Sequence, residues 1–384
     1  VAPLAAPLAP PPAARDDIAV LSTACRAPPS HESLAPFWAA LCNREVAVHD
    51  VPPERWDAAT YVNTDVSAAR RGYTYTSAGS WLSGADAFDF GFFGVAKAEA
   101  AGMDPKQRLL LEVGYEVLHG AGMTKATAMG ADVGVFVGMC SQDWQLISQH
   151  HRVSPYTGTG CHGPSIAANR LSYALGLRGP SFVVDTACSS SLVAADCALD
   201  KLHAKSVGSV IVAGVNLNLT PHLYVAFANA HMLSPSGRNA TFDASADGYV
   251  RGEGCLALLL EPRAAGTQQL SMVGSAINQD GRSATLTAPN GPAQQRCVRA
   301  ALASAGVGTA AVAYVEAHGS ATPLGDVIEI EALGAVMSAG GQRPGRALPL
   351  GSGKTCVGHL EGAAGVLGLC KAAASLLQRR DAPL

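Results

Sequence analysis

Charge is scarce in this 384-residue chain: Asp, Glu, Lys and Arg make up 15% of it, aromatic residues 6%, and the formal net charge is −3. With no long Lys/Arg run, neither nucleic acid nor an anionic membrane is a main partner. No apolar run reaches the roughly 18 residues of a membrane-spanning helix, and "CLALLLEP" has the length of a buried strand. No Cys-x-x-Cys or His-x-x-x-His pair occurs, so the closely spaced ligands of a typical zinc site are missing. The ten cysteines are scattered through a chain too long to need disulfide staples, which favours a reducing, cytoplasmic compartment. "GSGKT" lacks the first glycine of a phosphate loop, Leu348 standing in its place.

What is present is apolar and small: 48% hydrophobic residues and 41 glycines, the composition of a tightly packed α/β protein. Residues 1–16, in "VAPLAAPLAPPPAARDD", form an Ala/Pro segment unable to build a core. We read it as a linker, the alternative being a processed targeting remnant, which would open an organelle as the location. Strand-like runs then alternate with helical patterns. "DDIAVLSTAC", "ADVGVFVGM", "SFVVDTAC" and "SVIVAGVNLN" read as strands, and "MDPKQRLLLEVGYEVLHGAG" reads as a helix opened by Asp104-Pro105 and closed at Gly120. A parallel sheet with crossover helices is expected. The theme recurs in "CLALLLEP", "LSMVGSAINQ", "VAYVEAH" and "LPLGSGKT", with helices near Pro292, Leu324 and Glu361, which suggests a second, similar α/β half.

Within "VVDTACSSSLVAADCALDKLHA", a helix from about Ser189 aligns Leu192, Ala195, Leu199 and Leu202 on one core-facing stripe. Cys188 falls at the helix start, where unpaired N–H groups and the dipole favour a thiolate and lower the thiol pKa. A small buried side chain is the competing reading, and it is the one that Cys197, Cys255, Cys297 and Cys370 keep. His318 after "VAYVEA" and His359 in "GSGKTCVGHLEGAAG" lie at or just beyond strand ends, where open α/β sheets gather their sites, though either alone reads more readily as a hydrogen-bonded structural residue.

Seven blocks in order, "RWDAATY", "MDPKQRLLLE", "LGLRGPSFVVDTACSSSLVA", "LSPSGRNATFDASADGYVRGEG", "NQDGRSATLTAPNGPAQQR", "VEAHGSATPLGD" and "KTCVGHLEGAAG", carry a resemblance to the β-ketoacyl synthase (ketosynthase) domain of type I modular polyketide synthases. The resemblance implies the thiolase fold: two similar α/β halves in a five-layered αβαβα arrangement, here residues 17–262 and 263–384, usually a homodimer. It implies that Cys188 is the acyl-accepting nucleophile, and that His318 and His359 support decarboxylation of a malonyl-type extender and stabilise its enolate. Lys354 and Glu361 match charged residues flanking the second histidine, where a buried pair would orient the imidazole. Ser320 and Thr322 match hydroxyls that bind the pantetheine arm. No metal or bound cofactor is implied. The phosphopantetheine arrives on an acyl carrier protein, and neighbouring polyketide synthase domains are the further partners.

The chain departs from the family in four places, one of them the first strand, "AVLSTACRAPPS", where the family carries more glycine and methionine. The usual His-Gly-Thr-Gly-Thr is His318-Gly319-Ser320-Ala321-Thr322, and the usual Lys-Ser-Asn is Lys354-Thr355-Cys356. It also ends before the family's last strands and Gly-Phe-Gly segment, so a truncated C-terminal half is expected. Elongation is the leading expectation, with a transacylating domain, a silent scaffold and a cysteine hydrolase as alternatives.

Overall fold

The computed structural model describes residues 17–28, 32–151, 163–264, 270–338 and 347–378. The expected linker, the "QRRDAPL" end beyond Gln378 and Cys161 lie outside them. The main sheet has six strands, in spatial order Ser181–Val184, Val133–Gly138, Ser209–Asn216, Gly254–Pro262, Ile18–Arg26 and Ser271–Met272. Val133–Gly138 is parallel to its two neighbours, and the helices Pro164–Leu175 and Ser190–His203 make the crossovers.

The sheet is not parallel throughout, which corrects the expectation. Gly254–Pro262 runs antiparallel to both Ser209–Asn216 and Ile18–Arg26, and Ser271–Met272 adds an antiparallel edge. "CLALLLEP" is therefore a central strand of this sheet and not part of a second one. Its unbroken apolar run follows from having both faces covered.

Alternation along the strands assigns each face. Val133, Val135, Val137, Ile211, Ala213, Ala257 and Leu259 meet Leu110 and Val113 of the helix Pro105–Gly120 and Leu171 of Pro164–Leu175. Phe136, Val210, Val212, Leu256 and Leu258 point the other way, onto Ala195, Ala198 and Leu199 of Ser190–His203 and Val366 and Leu367 of Ala364–Gln378. The helix Pro105–Gly120 starts and stops where its punctuation predicts, with the Asp104 carboxylate accepting the Lys106 N–H at 2.8 Å. On the helix after Cys188, Ala195, Leu199 and Leu202 are buried as expected, but Leu192 is 45% exposed. It lies on the first turn, where the neighbour beside it is Gly365, which has no side chain to cover it.

The two inner helices, Ser190–His203 and Ala364–Gln378, pack on each other, and the second of them meets a short parallel sheet formed by Val315–Glu316 and Leu350–Gly351. Among the described residues the second half has fewer and shorter strands than the first: from "LSMVGSAINQ", only Ser271–Met272 enters a ladder, with Ile18 and Ala19 of the first half. A third sheet joins Val48–Asp50, Ala78–Ser80 and Arg251–Gly252 beside an aromatic cluster of Trp56, Tyr75, Trp81, Tyr224 and Tyr249.

Two glycines set how closely these layers approach. Gly138 and Gly214 face each other across neighbouring strands. A Cβ on Gly138 would lie 2.4 Å from the Ser191 nitrogen, and one on Gly214 would lie 2.7 Å from the Ala363 Cα. Both obstacles are backbone, so neither can swing aside. Gly138→Ala is expected to destabilise the fold by about 1–3 kcal/mol in urea unfolding. Gly308→Ala, whose Cβ would meet nothing within 4 Å, should stay within about 0.5 kcal/mol of wild type.

Candidate active site

Cys188 sits on a tight turn between the strand Ser181–Val184 and the helix Ser190–His203. The turn demands a left-handed residue, and Ala187 adopts φ +55°, a strained conformation for a side chain of its kind. Ser190 staples it: its hydroxyl accepts the Thr186 N–H at 2.9 Å and donates to the Ala187 carbonyl at 2.6 Å. The thiol itself is half-buried. Burial, then the negative charge of Glu361, push its pKa up to about 11, with Lys354 opposing. This reverses the expectation of a lowered pKa, because loss of solvation outweighs the helix start, and the cysteine rests as a thiol.

His318 and His359 come to this turn from the second half. The Cys188 sulfur and one nitrogen of each imidazole lie within 4.8 Å of one another, and the rings stand edge to face with centroids 5.6 Å apart. His359 is stitched into the strand Arg251–Gly252: its N–H donates to the Val250 carbonyl at 2.7 Å, and its carbonyl accepts the Gly252 N–H at 2.8 Å. Its Nδ1 accepts the Glu361 backbone N–H at 2.9 Å. An accepting Nδ1 carries no proton, so the neutral ring bears its hydrogen on Nε2. That Nε2 is buried and has no hydrogen-bond partner among the described residues. Burial first, then the cations of Lys354 and Arg251, hold the His359 pKa well below the ordinary imidazole range.

His318 keeps an open edge toward solvent. The protein packed around it, then the Lys354 ammonium, lower its pKa, so it too is neutral at pH 7. Its main chain is clamped by charge on both sides. The two oxygens of Glu329 accept the N–H groups of His318 and Gly319 at 2.6 and 2.8 Å, and Lys354 Nζ donates to the His318 carbonyl at 2.5 Å. Sequence reasoning misses Glu329. Its only signal is a carboxylate in "PLGDVIEIEAL", placed to reach back from the helix Pro323–Met337 to the loop preceding it.

Lys354 and Glu361 are both buried at the site, but they do not form the expected pair. Lys354 holds the main chain of His318, whereas the Glu361 carboxylate meets Arg251 Nε at 3.0 Å and only its backbone touches His359. The hydroxyls of Ser320 and Thr322 lie 3.1 Å apart and bond each other. Thr322 occupies the N-cap position of the next helix, yet its side chain makes no capping bond. Between them Ala321 is fully buried at φ +58°, a left-handed position at which the family's glycine is unstrained. Cys356, the other departure, lines a crevice with Phe37 and Leu41 of the helix Leu34–Cys42, away from the cysteine and histidines.

Three nitrogen and sulfur atoms this close also have the look of a metal site, which sequence spacing alone argued against. A ligating Nε2 must be unprotonated, and the Glu361 N–H directs the proton onto it, so His359 faces the site as a donor. Beside the turn, a cavity of about 370 Å³ is lined by Cys140, Gln142, Asn169, Phe182 and Asp185, without Cys188 itself.

The strained cysteine turn thus faces two neutral histidines, and comparison with known proteins shows the family to which the chain belongs. The chain belongs to the β-ketoacyl synthase family: residues 15–265 match the model of the N-terminal domain and 270–383 that of the C-terminal domain. A phenolphthiocerol/phthiocerol polyketide synthase of Mycobacterium tuberculosis is 44% identical over 371 residues, which cover 93% of this chain and 17% of that protein. Polyketide synthase ThaG of Burkholderia thailandensis is 42% identical over 94% of this chain and 6% of its own length. The chain therefore spans only a small part of these relatives. Among solved structures, the ketosynthase from module 6 of the bacillaene synthase of Bacillus subtilis superimposes with a TM-score of 0.87 at 33% identity, covering 94% of this chain and 61% of the other. An oxazolomycin ketosynthase domain of Streptomyces albus gives 0.88 at 34%, covering 94% and 63%. The fold is accordingly the five-layered thiolase fold.

The thiol pKa has a direct readout. Alkylation of Cys188 by iodoacetamide, followed on its own peptide by mass spectrometry, should still be accelerating above pH 9, with its inflection at about 11. Lys354→Met removes the cation that favours the thiolate and should move the inflection upward.

Proposed function

We propose that this chain is a polyketide synthase ketosynthase that joins an acyl chain held on Cys188 to a carrier-bound malonyl-type extender by decarboxylative Claisen condensation. The observation that carries this reading is the His359 Nε2–H, a buried donor without a partner among the described residues, facing the Cys188 sulfur and His318. A neutral, buried donor suits an oxygen that becomes negative during the reaction, as an enolate does.

The steps balance as follows. The Cys188 sulfur attacks the thioester of an acyl carrier protein, the bond to the carrier sulfur breaks, and the thiol proton leaves with the carrier thiol. The extender then loses its carboxylate as CO2, and the electron pair passes into an enolate whose oxygen is held by His359 Nε2–H and by His318. The enolate carbon attacks the Cys188 thioester, forming the new carbon–carbon bond and expelling the Cys188 sulfur, which recovers a proton. The protein needs no bound cofactor for this. The paired hydroxyls of Ser320 and Thr322 are suited to hydrogen-bond the phosphopantetheine arm, Lys354 to hold His318, and Glu361 to orient His359.

The partners are then acyl carrier protein, adjacent polyketide synthase domains and a second copy in a homodimer, with residues 17–262 and 263–384 as the two halves. A cytoplasmic setting fits the nine described cysteines, all of them free, and no helix among the described residues is long and apolar enough to cross a membrane. The transacylating alternative keeps the first step only. A hydrolase would use one histidine and leave the second without a role.

Incubation with acyl and malonyl carrier proteins is expected to yield an acyl adduct on Cys188 and a β-ketoacyl product two carbons longer, both read by mass spectrometry. An adduct without product would support transacylation, free acid a hydrolase, and neither a silent scaffold. His359→Ala should lower product formation by about 100- to 1000-fold while the Cys188 adduct still forms.

A further inference from the structure

Arg251 has no part in the reaction as written, yet it is fully buried and reaches His359 by two routes. Through the main chain, its neighbours Val250 and Gly252 bond the His359 N–H and carbonyl at 2.7 and 2.8 Å. Through the side chain, its Nε meets Glu361 Oε1 at 3.0 Å, and the Glu361 N–H in turn meets His359 Nδ1 at 2.9 Å. Glu361 makes that second bond while holding φ +47°, a left-handed conformation that is strained for a residue with a side chain.

A side-chain anchor can hold such a residue in place, and Arg251 is suited to be one. The guanidinium lies over the rings of Tyr224 and Phe227, 5.1 and 5.3 Å from their centroids, and its two terminal nitrogens have no hydrogen-bond partner among the described residues. The aromatic rings fix its plane, and the bond from Nε is directed at Glu361.

We propose that Arg251 is a positioning residue: its ion pair with Glu361 keeps the Glu361 backbone left-handed, so that the Glu361 N–H holds His359 Nδ1 as an acceptor and the proton on Nε2. The inference rests on the reading of His359 as the enolate donor, but the tautomer is observable without any turnover. It also accounts for an ion pair of two buried charges, which adds little stability by itself. The pair fixes a protonation state.

Nitrogen NMR of the full chain carrying 15N-histidine, with His359 assigned by difference against His359→Gln, tests this. The wild type should show one neutral His359 tautomer, protonated on Nε2. Arg251→Met alone strands a buried carboxylate and invites unfolding, so the deciding variant is Arg251→Met/Glu361→Met, which removes both charges and retains apolar bulk. It should keep the wild-type circular dichroism and populate both tautomers. Condensation should fall about 10- to 100-fold while Cys188 acylation, relieved of the Glu361 charge that disfavours the thiolate, does not fall. Arg251→Lys, which keeps a cation beside Glu361, should fall between the two in both readouts. A retained single tautomer in the double variant, or acylation and condensation falling together, overturns the proposal. A wild type that shows the Nε2–H tautomer and acylates but forms no β-ketoacyl product would instead overturn the elongating function and leave the positioning role intact.

Discussion

The site depends on a backbone contact with no room for a side chain. Gly138 and Gly214 lie opposite each other on adjacent strands, one under the first turn of the helix that follows Cys188, the other under Ala363 just beyond His359. Cys188 belongs to one half of the fold and the two histidines to the other, and these two seatings on one sheet bring them together. Had either strand carried even a methyl group there, the cysteine and the second histidine would be pushed off the sheet by different routes. The spacing of 4.8 Å or less between the three reacting atoms could not then be held.

Around that contact, charge is used on the backbone more than on the catalytic side chains. Glu329 and Lys354 grip the amide groups of the His318 segment from opposite sides. Arg251 and Glu361 work through a backbone N–H on His359. The imidazoles stay neutral and the thiol stays protonated, because burial penalises charge on each of them. A site at rest with neutral reactants and well-anchored donors is prepared for a charge that exists only during reaction. Strain follows the same logic: Ala187, Ala321 and Glu361 all hold positive φ without being glycine, and all three lie in the loops that form the site.

A good deal of this is legible in the sequence. Periodicity locates the strands around Val133–Gly138 and Ser209–Asn216, and Asp104-Pro105 and Gly120 mark a helix to the residue. The strand-to-helix position of Cys188 raises it above the other cysteines, and ordered motifs join it to His318 and His359. The direction of Gly254–Pro262 is not legible, because an apolar run buried on both faces looks alike in parallel and antiparallel sheets. Nor is the exposure of Leu192, since periodicity describes a helix face and not which neighbours cover each turn of it.

The amino-acid sequence by itself determined the α/β class and the family, and it singled out Cys188, His318 and His359, since these rest on local pattern and residue type. Only the tertiary structure decided who pairs with whom. Lys354 and Glu361 are neighbours in sequence and carry opposite charges, yet one holds His318 and the other Arg251. Glu329 reaches the His318 loop, Cys356 turns toward a different helix, and the proton of His359 goes to Nε2. Each of these depends on directions and distances that only the fold sets, and the Lys354–His318 and Arg251–Glu361 contacts join residues 36 and 110 positions apart. The thiol pKa was decided there too: a helix start can be read from sequence, but the burial that outweighs it is a property of the assembled core.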